Sequence, residues 1–301
     1  MHTLELSLLL HRALVARMEL LTGFLAVPDW PEDHEALHQV RVASRRVRSV
    51  LELVRPELYP EHKRLTRRLR RLTRALGLTR ELDVHALQLE ALATDLPGLA
   101  TGAALDHALE LLSDQARKAR RGMARELEHC SLKGLPDLLK VPNLPDPFLV
   151  GALGAAAWDR LEPLLDTALA PLPGLLEQED AAAMHQARIR IKGLRYALEV
   201  LGAAMAAPPE ARLAQLKALQ TALGEHHDLA TMEALLLDLH QGLCDRGRRH
   251  LAAGTLEVLA YVGDARLNAF ERFRAAARAV PLGPVKASLR QGFGLPEADL
   301  P

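Results

Sequence analysis

One pattern of charged and apolar residues occurs twice in the chain, at a separation of 147 positions. The first copy, HQVRVASRRVRSVLELV, begins at His38, and the second copy, HQARIRIKGLRYALEVL, begins at His185. The same shift, without a gap, places the Ala-Leu-Gly of residues 75–77 on the Ala-Leu-Gly of residues 222–224. Agreement at two separate places indicates an internal duplication, and it predicts two similar halves related by a pseudo-two-fold axis.

The composition predicts that both halves are helical. Apolar residues make up 49% of the 301 residues, which is enough for a sizeable core, whereas aromatic residues make up only 3%. Leu and Ala are abundant, and strand-like alternation of apolar and polar residues is nearly absent. We therefore expect an all-α protein built from two helical bundles.

The caps and the apolar periodicity predict five helices in each half. They lie near 3–26, 32–55, 57–76, 80–95 and 102–131, and near 148–170, 177–202, 209–223, 227–246 and 249–279. Four prolines between Pro136 and Pro147 mark the boundary, so we assign the repeats to 1–135 and 148–280. The tail 281–301 is expected to be irregular, and Gly77 and Gly224 are expected to end helices in the left-handed conformation.

Each copy of the pattern presents one narrow basic stripe. On a helical wheel at about 100° per residue, the stripe of the first copy spans an arc of about 80°, opposite a face of valines and leucines. It consists of His38, Arg41, Arg45, Arg48 and Glu52. The corresponding residues of the second copy take the same angles, and they are His185, Arg188, Lys192, Arg195 and Glu199.

Such a stripe is also typical of a solvated helix face, on which Glu52 and Glu199 pair with an arginine one turn earlier. Each stripe, however, holds three cations for one anion, and like charges one turn apart repel each other. A repulsive stripe that occurs twice predicts a negatively charged partner.

The neighbouring sequence extends the basic character. The formal net charge of the chain is 0, yet residues 38–80 hold 13 Lys and Arg against 3 Asp and Glu. In residues 62–76 a single stripe of leucines is surrounded by arginines. Among these arginines, Arg67, Arg71 and Arg74 are candidate extensions of the site. Arg46, beside the first stripe, is another candidate. Arginine suits phosphate because its planar fork donates two parallel hydrogen bonds, and histidine gains charge as the pH falls.

The doubled motif resembles that of the CHAD family, a histidine-containing α-helical domain. The family motif, H-x-x-R-x-x-x-[RK]-x-x-R followed by L-G-x-x-[RN]-D, is matched from His38 with ALGLTRELD and from His185 with ALGEHHDLA. The resemblance covers nearly the whole chain. It implies two four-helix bundles with pseudo-two-fold symmetry, basic helices that line a shared surface, binding of inorganic polyphosphate, and no catalysis.

Two positions depart from the family pattern. Glu81 replaces the usual Asp after Arg80, which is expected to weaken a helix cap. Gly193 stands where the first copy has Arg46, which removes a cation from the flank of the second stripe.

Two other functions compete with polyphosphate binding. The sequence His226-His227-Asp228 is similar to the His-Asp pair of helical metal-dependent phosphohydrolases, but the duplication explains this position without a metal. Nucleic-acid binding is the stronger rival, because nucleic-acid phosphates attract the same cations. The chain offers only ten aromatic residues, and none lies in the basic segment 61–76 that would provide stacking platforms.

The remaining features predict a cytoplasmic protein. Cys130 and Cys244 form no CxxC motif, and the first 21 residues are amphipathic rather than a signal peptide. No apolar run approaches the roughly 20 residues of a membrane span. We expect no catalytic residues, no metal and no cofactor. Inorganic polyphosphate is the expected partner, and nucleic acid is the rival polyanion. Granule-associated proteins are further candidate partners, and polyphosphate granules are the candidate location within the cytoplasm.

Overall fold

The computed structural model describes residues 4–96, 98–129, 134–139 and 153–296, and these residues form helices without strands. The class is therefore all-α, as predicted. The α-helices are α1 (Leu4–Leu25), α2 (His34–Leu51), α3 (His62–Ala75), α4 (Gly77–Asp95), α5 (Leu99–His129), α6 (Leu153–Leu169), α7 (Leu172–Glu177), α8 (Ala181–Leu201), α9 (Glu210–Asp245), α10 (Arg249–Arg278) and α11 (Leu282–Gly292). Short 3-10 helices lie at Pro56–Leu58, Pro136–Leu138 and Gly202–Ala204.

The two basic helices begin at equivalent positions of the duplication and are capped in the same way. Asp33 precedes α2, and its carboxylate accepts a hydrogen bond of 2.6 Å from the backbone N–H of Ala36. Asp180 precedes α8 and accepts a hydrogen bond of 2.9 Å from the backbone N–H of Ala183. Each aspartate satisfies a helix donor that would otherwise lack a partner, and so fixes the first turn of its basic helix. The pseudo-two-fold relation between the halves stays a prediction.

Three sequence predictions about helix ends are wrong. Gly224 lies inside the continuous helix α9, which replaces the two predicted helices 209–223 and 227–246. Gly77 is the first residue of α4, and neither glycine is among those with positive φ, so neither acts as a left-handed cap. The tail is not irregular, because residues 282–292 form α11. Of the proline-rich boundary, residues 140–152 lie outside the described residues, as do residues 297–301 of the tail.

The chain divides into two compact units, each of which combines helices from both repeats. Unit 1 contains Met1–Thr73, Cys130–Thr221 and Arg274–Pro301, and unit 2 contains Arg74–His129 and Ala222–Phe273. The predicted repeats 1–135 and 148–280 therefore describe the duplication of the sequence and do not coincide with these units.

Unit 1 is held together by apolar faces of its basic helices and their neighbours. Leucines of α1 and α3 and valines of α2 are fully buried, as are Ile191 and Leu194 on α8. The apolar side of each basic helix is thus committed to the core, which leaves the opposite side for the cations.

Helix α11 packs against α6 within unit 1. Lys286 lies 2.9 Å from the carboxylate of Glu162 and 3.0 Å from that of Asp166. The rings of Trp158 and Phe293 are in contact, with centroids 6.1 Å apart. These contacts order a segment that its Pro and Gly content had suggested would be irregular.

Unit 2 has its own apolar core, formed by leucines, valines and alanines of α4, α5, α10 and the second part of α9. The two units carry opposite formal charges. Unit 2 holds 17 acidic residues (Asp and Glu) and 12 basic residues (Lys and Arg), whereas unit 1 holds 21 acidic and 26 basic residues. The neutrality of the whole chain thus results from a basic unit and an acidic unit.

No helix in the described part of the chain is long and apolar enough to cross a membrane.

Candidate functional site

The cations of α2 are half-buried on one side of the helix. Arg41, Arg45 and Arg48 follow one another at intervals of one turn, and His38 begins the row. All four side chains are intermediate in exposure, whereas Val40, on the other side of the helix, is fully buried. The row is therefore not the freely solvated face that the alternative interpretation required.

The cations of α8 join those of α2 in one cluster, which we call the unit 1 cluster. Burial lowers the pKa of Lys192 to about 7, and Arg45, Arg188, Arg41 and Arg195 lower it further by repulsion. Two of these arginines lie on α2 and two on α8, so side chains from both copies of the motif surround the ammonium group. The structure thus brings together the two predicted stripes around Lys192.

Two further groups of the cluster show the same effect. Burial lowers the pKa of Arg45. Repulsion from Arg188 on α8 and Arg48 on α2 lowers this pKa further, and Tyr196 raises it. Burial also lowers the pKa of His185, with additional repulsion from Arg188 and Lys192. Each shift has the sign expected where like charges are gathered at a partly dehydrated site.

Several guanidinium nitrogens of this cluster are buried without a hydrogen-bond acceptor. They are the Nε atoms of Arg45, Arg46, Arg48 and Arg188, when partners are sought among the residues that the structure describes. A buried donor without an acceptor costs about 1–3 kcal/mol. An anion that accepted these hydrogen bonds would remove both this cost and part of the charge repulsion.

Arg195 differs from the other cluster residues because the protein already supplies its partners. It forms an ion pair with Glu199, and its Nε donates a hydrogen bond of 2.9 Å to the side-chain oxygen of Gln220. Arg17 of α1 lies 3.6 Å from the same Glu199 and donates to the carbonyl oxygen of Arg46 at 3.2 Å. In the first copy the equivalent pair is looser, since Arg48 and Glu52 are 3.9 Å apart.

The ring of Tyr196 lies between arginines of the two copies. The guanidinium carbon of Arg195 is 4.7 Å from the ring centroid and that of Arg46 is 5.8 Å from it. The ring is 5% exposed, so it is used for cation–π contact inside the cluster. No sequence pattern identifies Arg17 and Tyr196 as members of the site, because their role depends on contacts between helices distant in sequence.

Arg67 and Arg71 lie on α3, the α-helix that follows α2 in the chain, but their side chains lie in a different environment from those of the cluster. Both side chains are exposed on α3, opposite its buried leucines. α3 itself is held against α2, because the hydroxyl groups of Ser44 and Thr73 are 3.2 Å apart. Arg74 is also exposed, and it is the first residue of unit 2. These arginines add positive charge to α3 without sharing the burial of the cluster.

The His226-His227-Asp228 sequence lies within α9, in unit 2, and does not begin a helix. His226 is fully buried, and its ring lies 6.2 Å from that of Phe270. Asp228 and Glu81 raise the pKa of His85 on α4, against a larger lowering by burial. Glu81 lies within α4 and therefore caps no helix. Among the described residues, no group of three or more His, Cys, Asp and Glu side chains is arranged to hold a metal ion.

Comparisons with known proteins agree with this architecture. Residues 23–237 match the sequence profile of a family described as "CHAD domain". The fold is similar to PptA from Streptomyces chartreusis, with a TM-score of 0.64 and 20% identity over 90% of this chain and 99% of that chain. It is also similar to the CHAD domain from the plant Ricinus communis, with a TM-score of 0.64 and 26% identity over 91% of each chain. The comparison with curated proteins gives no match.

Proposed function

Because the chain belongs to the CHAD domain family, we propose that the unit 1 cluster binds inorganic polyphosphate and does not catalyse its turnover. The observation that carries this proposal is the gathering of cations from α2 and α8 around Lys192, whose pKa burial and four arginines lower to about 7. Such a cluster is unfavourable in the free protein. It becomes favourable when a polyanion supplies the missing charge and acceptors.

The chemistry of the cluster suits a chain of phosphates. Polyphosphate offers negative oxygens at regular intervals and has no base or sugar that would need recognition. Arginine forks bind such oxygens by paired, charge-assisted hydrogen bonds, which are roughly twice as strong as neutral ones. The buried Nε donors of Arg45, Arg48 and Arg188 would receive acceptors in this way.

The structure suggests different roles for the predicted binding residues. We propose that direct contacts come from the half-buried residues of the cluster other than Arg195, which are His38, Arg41, Arg45, Arg46, Arg48, His185, Arg188 and Lys192. Arg195 is held by Glu199, Gln220 and Tyr196 and therefore contributes less to the affinity. Arg67 and Arg71, which are exposed on α3 within unit 1, would receive a longer chain beyond the cluster.

Nucleic acid is the rival ligand because its phosphates draw on the same cations. Single-strand binders gain about 1–3 kcal/mol for each base stacked on an exposed aromatic ring. The aromatic ring of this cluster, that of Tyr196, is buried between two arginines and offers no such platform. This favours a ligand that consists of phosphate alone.

A competition experiment tests the proposal. A labelled long-chain polyphosphate is displaced by unlabelled polyphosphate, single-stranded RNA and duplex DNA at equal phosphate concentrations over a salt series. We expect polyphosphate to compete best, and the affinity to fall on the order of 10³-fold between 50 and 200 mM salt for about six phosphate contacts. A preference for either nucleic acid would contradict the proposal.

Two further measurements test the remaining parts. Incubation of polyphosphate with the protein and Mg²⁺ or Mn²⁺ should release no phosphate, and metal-dependent release would instead identify an enzyme. In cells that accumulate polyphosphate, we expect a fluorescent fusion to concentrate at the granules. A diffuse fusion would restrict the proposal to binding without granule targeting.

A further inference from the structure

Unit 2 contains an open apolar groove that the unit 1 cluster does not use. The groove has a volume of about 610 Å³ and lies between α4, α5 and the second part of α9. Leucine is the most frequent residue of its walls, and Leu78 and Leu111 are 58% and 41% exposed. Its lining along α9 begins at Thr231 and ends at Arg246, just after the helix, a span of about 22 Å at 1.5 Å per residue. A groove of this length matches about four turns of a helix.

Small side chains keep the groove open. Ala108 on α5 and Ala234 on α9 are both lining residues, and Ala234 is exposed. The floor also contains one polar pair, in which Nε2 of the buried His85 lies 3.2 Å from the hydroxyl of Thr231. Burial lowers the pKa of His85, and Glu81 and Asp228 partly oppose this shift, so burial disfavours the charged form of the ring at the floor.

The rim of the groove is acidic. Glu81 and Asp238 line it from opposite helices, and both are exposed. Next to it, a second depression shares Leu111 with the groove and adds Asp106, Glu110 and Asp114 of α5, of which Asp114 forms an ion pair with Arg117 in the same depression. Arg246 at the end of the groove donates to the carbonyl oxygen of Gly242 at 2.7 Å. The whole unit holds 17 acidic against 12 basic residues.

We propose that this groove binds a basic amphipathic helix of a partner protein. A helix that presents leucine-like residues at positions i, i+3, i+4 and i+7 would bury its apolar stripe against the exposed leucines. Lysines and arginines beside that stripe would meet the acidic rim, which would increase the association rate and select against acidic helices. The inference is independent of polyphosphate binding, because every lining residue belongs to unit 2.

Designed peptides test the inference on the full-length chain. The probe is a labelled peptide of about 16 residues with leucines at helical spacing and lysines elsewhere, and the control peptide has glutamate in place of every lysine. Fluorescence anisotropy should show saturable binding of the lysine peptide and none of the glutamate peptide. Equal binding of both peptides, or no saturable binding, would overturn the inference.

Matched variants locate the binding. Ala234→Phe fills the groove from an exposed position, and Ala93→Phe places the same side chain on an exposed position of α4 that does not line it. We expect Ala234→Phe to weaken peptide binding at least tenfold, Ala93→Phe to leave it unchanged, and Asp238→Lys to weaken it severalfold.

The controls separate this inference from the proposed function and from self-association. Polyphosphate binding should be equal in the wild type and in Ala234→Phe, and an unchanged circular dichroism spectrum and melting temperature show that unit 2 of the variant is folded. Unchanged peptide binding in Ala234→Phe would refute the groove as the site. Analytical ultracentrifugation tests for self-association. A dimer of the wild type that is absent in Ala234→Phe would mean that a second copy occupies the groove, which also overturns the inference.

Discussion

The pH dependence of polyphosphate binding should report on one side chain, Lys192. In the free protein, burial and the repulsion of Arg45, Arg188, Arg41 and Arg195 lower the pKa of Lys192 from 10.5 to about 7. The ammonium form therefore predominates at pH 6 and the neutral amine at pH 8.5. A bound polyanion offsets the repulsion and raises this pKa again, so binding above pH 7 takes up a proton. The affinity should consequently fall as the pH rises through 7.

The magnitude follows from the pKa. Protonation of a group with a pKa of about 7 costs about 2 kcal/mol at pH 8.5, because each pH unit above the pKa corresponds to about 1.4 kcal/mol. This equals a loss of affinity of up to about 30-fold between pH 6 and pH 8.5. Lys192→Arg keeps the charge at both pH values and should lack this loss, whereas Lys192→Met should bind more weakly than the wild type at pH 6 and approach it at pH 8.5.

The assay is a titration of labelled long-chain polyphosphate at constant ionic strength from pH 6 to pH 8.5. The comparison with Lys192→Arg cancels the titration of the ligand and of His38 and His185, which both proteins share. Calorimetry in two buffers of different ionisation enthalpy should show proton uptake by the wild type at pH 8. Parallel pH profiles for the wild type and Lys192→Arg would contradict this prediction, since Lys192 would then be charged throughout or lie outside the site.

Three other substitutions test the surroundings of the cluster. Glu199→Ala should lower the free energy of unfolding by about 2 kcal/mol, because Arg195 loses its partner, and should strengthen polyphosphate binding. Gly193→Arg restores the cation of the first copy at a position where an added Cβ meets nothing within 4 Å, and should raise the affinity severalfold while Gly193→Ala does not. Gly154→Ala should lower the melting temperature by about 5 °C in a thermal scan, because its Cβ would lie 2.2 Å from the carbonyl oxygen of Phe293. An unchanged melting temperature for Gly154→Ala would contradict the tight packing of α11.

The composition was sufficient to predict the all-α class, and the duplication with its helical spacing was sufficient to define the basic stripes. A helical wheel places His38, Arg41 and Arg45 on one side because that geometry depends only on local spacing. It also predicts Lys192 as their counterpart, but not that Lys192 lies among the arginines of the other copy. This depends on how α2 packs against α8, which no local pattern contains.

The errors have a common physical origin. Gly224 and the Pro- and Gly-rich residues 282–292 read locally as helix breakers, yet tertiary packing makes both segments helical. The same applies to Glu199, which looked equivalent to Glu52 but pairs with Arg17 of another helix as well. Local propensity is a weak prior that packing overrides, and ion pairs between helices cannot be read from one helix.

The double charge reversal Arg45→Glu/Lys192→Glu tests whether the cations of α2 and α8 form one binding site for polyphosphate. It is measured beside Arg12→Glu/Arg190→Glu, whose exposed cations lie on α1 and α8 of the same unit. Both pairs change the formal charge equally. We predict that the first pair abolishes polyphosphate binding with helicity unchanged by circular dichroism, and that the second weakens it only slightly. Equal affinities for the two pairs would contradict one shared binding site.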